Sequence, residues 1–347
     1  MNPYSHASAW LGSTLRHTKN WILELSASEN DELRSALGFA KSRGASVITM
    51  TKADFPLPTL TSKIHALTNT IINETGFTLL KGFDIQRYEA KDAALIYWGI
   101  GTHMGKGCAQ NAQGDLLGHV TDLGVDIHSN PQARGYQSNQ LLPFHNDAQD
   151  VVGLLCLHPA KAGGVSRIVS SAAIYNRILE TRPELLSVMC QPYCMDRRGE
   201  TPEGKKPYYT GAFFEWQGDK LFCRYNRTYI ESAQRFPEVP RLTDAQVESM
   251  NVMDGLCADP DLYLDMPFAP GDMQFINNYT TLHSRTGYED WPEIERRRYL
   301  LRLWLDTGLV PEKPASFMDR FEDMVAWQKS PKAPIFDLSM RRNELAH

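Results

Sequence analysis

The six cysteines of this 347-residue chain include no C-x-x-C pair and none of the spacings of a zinc ribbon. Cys108, Cys156, Cys190, Cys194, Cys223 and Cys257 are therefore expected to be free thiols in a reducing compartment. Long apolar runs are also missing. The longest, "VVGLLCL" at 151–157, is strand-sized and far short of the ~18 residues a membrane span requires. The first residues, "MNPYSHASAWLGSTLRHTKNW", lack the basic-then-apolar pattern of a secretory signal. A cytoplasmic protein with no membrane partner is the resulting expectation. Basic excess is absent too: the formal charge is −5, which argues against a dedicated nucleic-acid binder. No G-x-G-x-x-G follows a strand, no G-x-x-x-x-G-K-[ST] occurs, and no internal repeat is visible, so nucleotide-binding folds lose support.

What is present is an ordinary globular composition, 42% apolar and 22% charged, enough to fill a sizeable core. The front third predicts helices. Ser28 as an N-cap, acids in the first turn and Gly44 at the end delimit one. "LTSKIHALTNTIINET", ended by Gly76, and "EAKDAALIYWGIGTHM" fit two more, with "FTLLKGF" between them as a strand. Residues 104–140 turn Gly-, Asn- and Gln-rich, with only "LLGHVT" strand-like, and are expected to form a loop or lid. Short strand candidates follow: "VVGLLCLH", "GVSRIVSS", "AFFEWQ", "KLFCRYN", "DMQFINN" and "YLLRLWLD". One helix, "SAAIYNRILETRPELLSVM", and a loop, "DRRGETPEGKKPYY", interrupt them. This pattern predicts a mainly β barrel or sandwich rather than a doubly wound sheet. The Pro-punctuated tail from 311 onward is expected to wrap the domain.

The chemistry begins at "LLPFHNDAQD", where His145 and Asp147 are one residue apart behind an apolar run. Alternate strand residues share a face, so both side chains can address one centre, with Asn146 pointing away. An H-x-D alone is a weak signal, equally satisfied by a polar strand end. His283, in "DMQFINNYTTLHSRTGYED", is the best third ligand, although a lone histidine is more often a surface or hydrogen-bonded core residue. "ERRRYLLRLWLD" is more informative. Read as a strand it is apolar on both faces yet contains Arg298 and Arg302. Buried guanidiniums keep their charge and need anions, either protein carboxylates or a dicarboxylate ligand. Two histidines and one carboxylate on one face of an octahedron leave three positions open, the donor set of non-haem iron(II) oxygenases.

These residues resemble the TauD/TfdA (taurine dioxygenase-like) family of Fe(II)/2-oxoglutarate-dependent oxygenases. The resemblance rests on "FHND", "GGVSRIVS" at 163–170, "NNYTTLHSR" at 277–285 and "RRRYLLRLW" at 296–304, in that order over about half the chain. It implies a double-stranded β-helix (jelly-roll) core with surrounding helices. On this reading, 1–347 is one oxygenase domain: a helical portion over 1–103, a lid over 104–140, the core over 141–310 and a wrap over 311–347. It implies His145, Asp147 and His283 as iron ligands, with Fe(II), 2-oxoglutarate and O2 as the working set. Arg298 matches the partner of the far 2-oxoglutarate carboxylate. Ser166 falls where the family usually has a threonine touching the same group, and keeps the hydroxyl. Arg302 matches an arginine that binds an anionic substrate in some members and supports cofactor or fold in others.

The implied reaction oxidises an unactivated C–H bond of a small anionic or zwitterionic substrate, releasing succinate and CO2. Homo-oligomerisation is left open. Two rivals remain: a cupin-like hydrolase or isomerase on the same triad, and a non-catalytic binding protein on this scaffold. His119, His128 and His158 read as ordinary histidines, the first two as candidates for lining the lid. Phe213, Phe214, Trp216 and Tyr225 read as packing rather than an aromatic cage.

Overall fold

The computed structural model describes residues 2–124, 134–334 and 336. Its frame is built from eleven strands: β1 (Ile22–Glu24), β2 (Phe77–Lys81), β3 (Lys106–Gly107), β4 (Leu117–Val120), β5 (Leu142–His145), β6 (Val151–His158), β7 (Ser166–Ser170), β8 (Tyr263–Met266), β9 (Met273–Asn277), β10 (Thr281–Arg285) and β11 (Tyr299–Asp306). They form the two sheets of the expected jelly-roll core. The larger runs β1-β2-β9-β6-β11-β3, with β4 also on β11; the smaller runs β8-β7-β10-β5. All pairs are antiparallel except β1 with β2.

The apolar runs at 151–158 and 299–306 are neighbours in the middle of the larger sheet, buried on both faces, which is why neither alternates in polarity. Helices Leu60–Asn73 and Ala90–Met104 pack on this sheet, Ala27–Ser42 packs against Ala90–Met104, and all share one core that includes Leu33, Ile64, Tyr97, Phe275 and Leu303. The first of them is capped by Ser26, not Ser28. Glu29 returns a bond to the Ser26 amide (2.7 Å) and closes a capping box, a reciprocity that Ser28 lacks.

Between β7 and β8 the chain makes a long excursion with its own core around Tyr175, Tyr193, Phe213 and Tyr225. The helix expected over 171–189 is two, Ser171–Thr181 and Pro183–Met189, because Pro183 cannot continue the first and suits the first turn of the second. Hairpins Tyr193–Asp196/Tyr208–Gly211 and Phe214–Gln217/Lys220–Cys223 follow, then helices Arg227–Ala233 and Asp244–Cys257. The tail is more regular than expected, with a helix over Ala315–Trp327. All six cysteines are free. No helix among the described residues is long and apolar enough to cross a membrane.

Candidate active site

His145, the last residue of β5, is the cross-strand partner of His283 on β10. Facing positions bring the two imidazoles to 4.2 Å between ring centroids. Because β5 ends at His145, strand alternation does not place Asp147; a side-chain clamp does. Asn146 turns away from the histidines, as expected. It donates to the carbonyls of Asn278 (2.8 Å) and Thr281 (3.1 Å), and accepts from the Tyr225 amide (2.9 Å). Asn278 in turn accepts from the Asp147 amide (2.8 Å). The carboxylate is thereby presented to both rings: Oδ1 lies 3.8 Å from His145 Nε2 and Oδ2 lies 3.9 Å from His283 Nε2. Among the described residues, these three form the cluster of metal-ligating side chains.

The donor set suits a divalent transition metal. His145 Nδ1 bonds the Pro143 carbonyl (2.8 Å), so that nitrogen carries the proton and Nε2 is bare. Burial, then the neighbouring His145, pushes His283 down to about 3, and burial lowers His145, so both rings are neutral. Burial opposes ionisation of Asp147, but Arg302 and the two imidazoles outweigh it and hold the carboxyl below its usual range. Two neutral nitrogens and a carboxylate oxygen converge, the set that a facial-triad iron requires.

Asp147 is held from behind by β11. Trp304 Nε1 donates to Oδ2 at 3.0 Å and Arg302 Nη1 at 3.2 Å. Arg302 also donates through Nε to Gln110 Oε1 (2.8 Å), and its guanidinium stacks on Tyr136 and Trp304, 4.6 Å from each ring. Its fork is thus largely spent on a ligand-type carboxylate and on residues of the 104–140 segment.

Arg298 is buried, with Nη1 unpartnered. It lies over the Tyr288 ring (5.1 Å), and Arg285 lies over the same ring (4.7 Å) with Nε and Nη1 unpartnered. Burial, then Arg298, pulls the Arg285 guanidinium down to about 10. Neither forms an ion pair with a described carboxylate, and Asp290 bonds the Arg298 backbone amide (2.7 Å) instead. Ser166 is the cross-strand partner of Arg285 and donates to Gln274 Oε1 (3.2 Å). Gly164 (φ +67°) makes room for Arg298: a Cβ there would meet Arg298 Nε at 2.9 Å. Orphaned buried donors beside the triad fit a carboxylate ligand.

His145, Asp147, His283, Ser166, Arg285, Arg298, Arg302 and Trp304 line one cavity of about 730 Å³. Arg134, Tyr136 and Gln140 of the 104–140 segment line it as well, together with Arg198, Arg224 and Arg320. That segment also holds β3 and a 3-10 turn, Gly135–Gln137, in addition to the expected strand. His119 is buried in β4 and bonds Tyr299 Oη (2.5 Å) rather than lining the cavity; His158 ends β6; His128 lies outside the described residues. Phe213, Phe214 and Tyr225 are core, while Trp216 is 41% exposed. Sequence reasoning did not select Arg285, Trp304 or Gln110. Arg285 was within reach, two residues beyond His283 on the same strand face.

Comparison with known proteins places the chain. It is 29% identical over 322 residues to FR-33289 synthase of Streptomyces rubellomurinus, covering 90% of this chain and 93% of that one. It is 29% identical over 346 residues to the taurine hydroxylase-like protein SAT17 of Stachybotrys chartarum, covering 93% and 87%. A uridine-5'-phosphate dioxygenase of Streptomyces sp is 23% identical over 53% of this chain and 65% of its own. Among solved structures, asparagine oxygenase in complex with Fe(II), 3-hydroxyasparagine and succinate superposes with a TM-score of 0.63 at 16% identity, covering 86% of this chain and 98% of that one. The non-haem iron oxygenase OrfP with Fe and alpha-ketoglutaric acid gives 0.61 at 15% identity, covering 85% and 97%. The family model for the taurine catabolism dioxygenase TauD, TfdA family matches residues 39–304, and the chain belongs to that family of Fe(II)- and 2-oxoglutarate-dependent dioxygenases.

Proposed function

We propose that His145, Asp147 and His283 hold the iron, and that Arg298, assisted by Arg285 and Ser166, receives the far carboxylate of 2-oxoglutarate. On this reading the enzyme oxidises an unactivated C–H bond of a small anionic or zwitterionic molecule. The supporting observation is the convergence, in one cavity, of a neutral-neutral-anionic triad with two buried guanidiniums that pair with no carboxylate among the described residues. Two relatives carry names that point to anions, taurine and uridine-5'-phosphate.

With O2 and 2-oxoglutarate, bound iron supplies the oxidising power that breaks the C–H bond, with succinate and CO2 as by-products. The chain's own residues supply orientation. Trp304 and Arg302 fix the Asp147 carboxylate, and the Pro143 carbonyl fixes the His145 tautomer. Arg302 thus serves the ligand carboxylate more directly than the substrate. Ser166 must turn its hydroxyl from Gln274 to the incoming carboxylate. The apolar walls, Val120, Leu154 and Phe144, exclude water. Hydroxylation is the simplest outcome; bond cleavage, desaturation or ring closure follow from the same oxidation. The cupin-like hydrolase reading leaves the guanidinium pair without an anion.

The test is anaerobic titration of the iron-loaded protein with 2-oxoglutarate, followed by a succinate-release screen over amino and organic acids. A visible charge-transfer band is expected in the wild type, with half-saturation raised at least tenfold in Arg298→Gln. A wild-type protein without the band, or an Arg298→Gln variant that titrates like wild type, would defeat the assignment.

A further inference from the structure

Among the buried arginines that line the cavity, Arg285, Arg298 and Arg224 form no ion pair with a described carboxylate. The first two share Tyr288 as a neighbour and are accounted for by the far carboxylate of 2-oxoglutarate. Arg224 belongs to a different group. It follows the strand Lys220–Cys223 in the excursion, is 5% exposed, and lies with its guanidinium 4.0 Å from the Phe317 ring and 5.7 Å from that of Tyr209. Its Nε has no hydrogen-bond partner among the described residues.

The acids around it are engaged elsewhere. Asp323 pairs with Arg197 and Arg320, Glu215 accepts from the Ala212 amide and the Ser316 hydroxyl, and Glu200 pairs with Arg134. The position is also rigid. The next residue, Tyr225, is tied through its amide to Asn146, between the two ligand residues of "HND", and Asn226 bridges to His145. Arg224 is thus anchored to the triad's own strand, yet shares no ring neighbour with the Arg298 group.

A fixed guanidinium, desolvated and facing a cavity, is destabilising unless an anion joins it. One dicarboxylate cannot serve both groups while its other end chelates the metal. We propose that Arg224 is the specificity-determining receptor for an oxyanion carried by the substrate, whether carboxylate, phosphate or sulfonate, and that this pole holds the oxidisable carbon over the triad. This deepens the reading above and rests on its assignment of Arg298 to the cosubstrate.

The test uses the full-length, Fe(II)-loaded protein under anaerobic conditions. Inorganic phosphate, sulfate and acetate are titrated calorimetrically at constant ionic strength, with and without saturating N-oxalylglycine, a stand-in for 2-oxoglutarate. The wild type is expected to bind at least one oxyanion saturably, without competition from N-oxalylglycine. Arg224→Gln should weaken that binding at least tenfold, and Arg224→Lys, which keeps the charge but loses the fork, should fall between. Arg298→Gln should weaken N-oxalylglycine and leave the oxyanion within twofold. Arg224→Gln should melt no lower than wild type, because it removes an unpaired charge; if it fails to fold, Arg224→Lys carries the comparison.

Unchanged oxyanion binding in Arg224→Gln would overturn the proposal. So would a wild type that binds none of the three anions, or competition between oxyanion and N-oxalylglycine. Failure of N-oxalylglycine to bind wild type would strike the cosubstrate assignment instead, and the titration without it would still decide on Arg224.

Discussion

At the scale of single residues, much of the site was legible. His145, Asp147, His283, Arg298, Ser166 and Arg302 all line the same cavity. The signal was chemical: ligand-type side chains near strand ends, and guanidiniums in a strand too apolar to solvate them. Arg224 was not legible, because it sits in an excursion whose docking is decided by tertiary packing. Two substitutions probe the supports rather than the proposed ligands. Trp304→Phe removes the indole donor to Asp147 (3.0 Å) and should weaken iron binding about tenfold, as losses of outer hydrogen bonds to metal ligands do, measured by competition with a chelator. Gly164→Ala should raise half-saturation by 2-oxoglutarate about tenfold and cost roughly 1 kcal/mol or more of stability. The new methyl would meet Arg298 Nε at 2.9 Å on a backbone of φ +67°. Unchanged 2-oxoglutarate affinity in that variant would show that Arg298 can move without consequence.

Elements were read well where local sequence decides them and poorly where a partner does. The central strands were found nearly to the residue, since continuous apolar runs have few alternatives. The helix at Asp244–Cys257 was passed over despite a capping box of Thr243 and Gln246, and β10 was overshadowed by the histidine it carries. One helix is capped by another. Glu32, in Ala27–Ser42, accepts from the amides of Thr59 (2.9 Å) and Leu60 (3.0 Å) at the start of Leu60–Asn73. Burial works against its ionisation, but those amides and the Thr59 hydroxyl outweigh it and hold the carboxyl below its ordinary value. A lowered folded value stabilises above the unfolded one, near 4.3, and that contribution disappears as pH falls through the folded value. Glu32→Gln should therefore lose about 1 kcal/mol at pH 7 by urea denaturation, a deficit that closes as pH falls through the lowered folded value. A pH-independent deficit would point to packing instead.

For the whole molecule, the succession of short strand candidates indicated a mainly β domain, but the pairing of distant strands could not be read, because it depends on which edges meet. The two cores, one on the larger sheet and one in the excursion, both contribute walls to the cavity. Ligands that join those walls should stabilise the entire fold. Saturating Fe(II) with N-oxalylglycine, at about 1,000 times its dissociation constant, is expected to add about 4 kcal/mol and raise the melting temperature by several degrees. Chelation of the metal should return it, and no shift on addition of both would mean that the folded chain does not bind them.

The facing of His145 and His283 has a mechanical consequence. β5 is the outermost strand of the smaller sheet, tied to β10 at His145–His283 and Leu142–Arg285 with a register shift between. An ion shared by the two imidazoles would act there as an additional rung, closing a seam that the backbone leaves thinly stitched. Deuterium uptake at the amides of Leu142, Phe144 and His145 should therefore slow when iron is added, while uptake in the centre of β6 stays the same. The cation would then fasten the rim of the barrel as well as serve its chemistry.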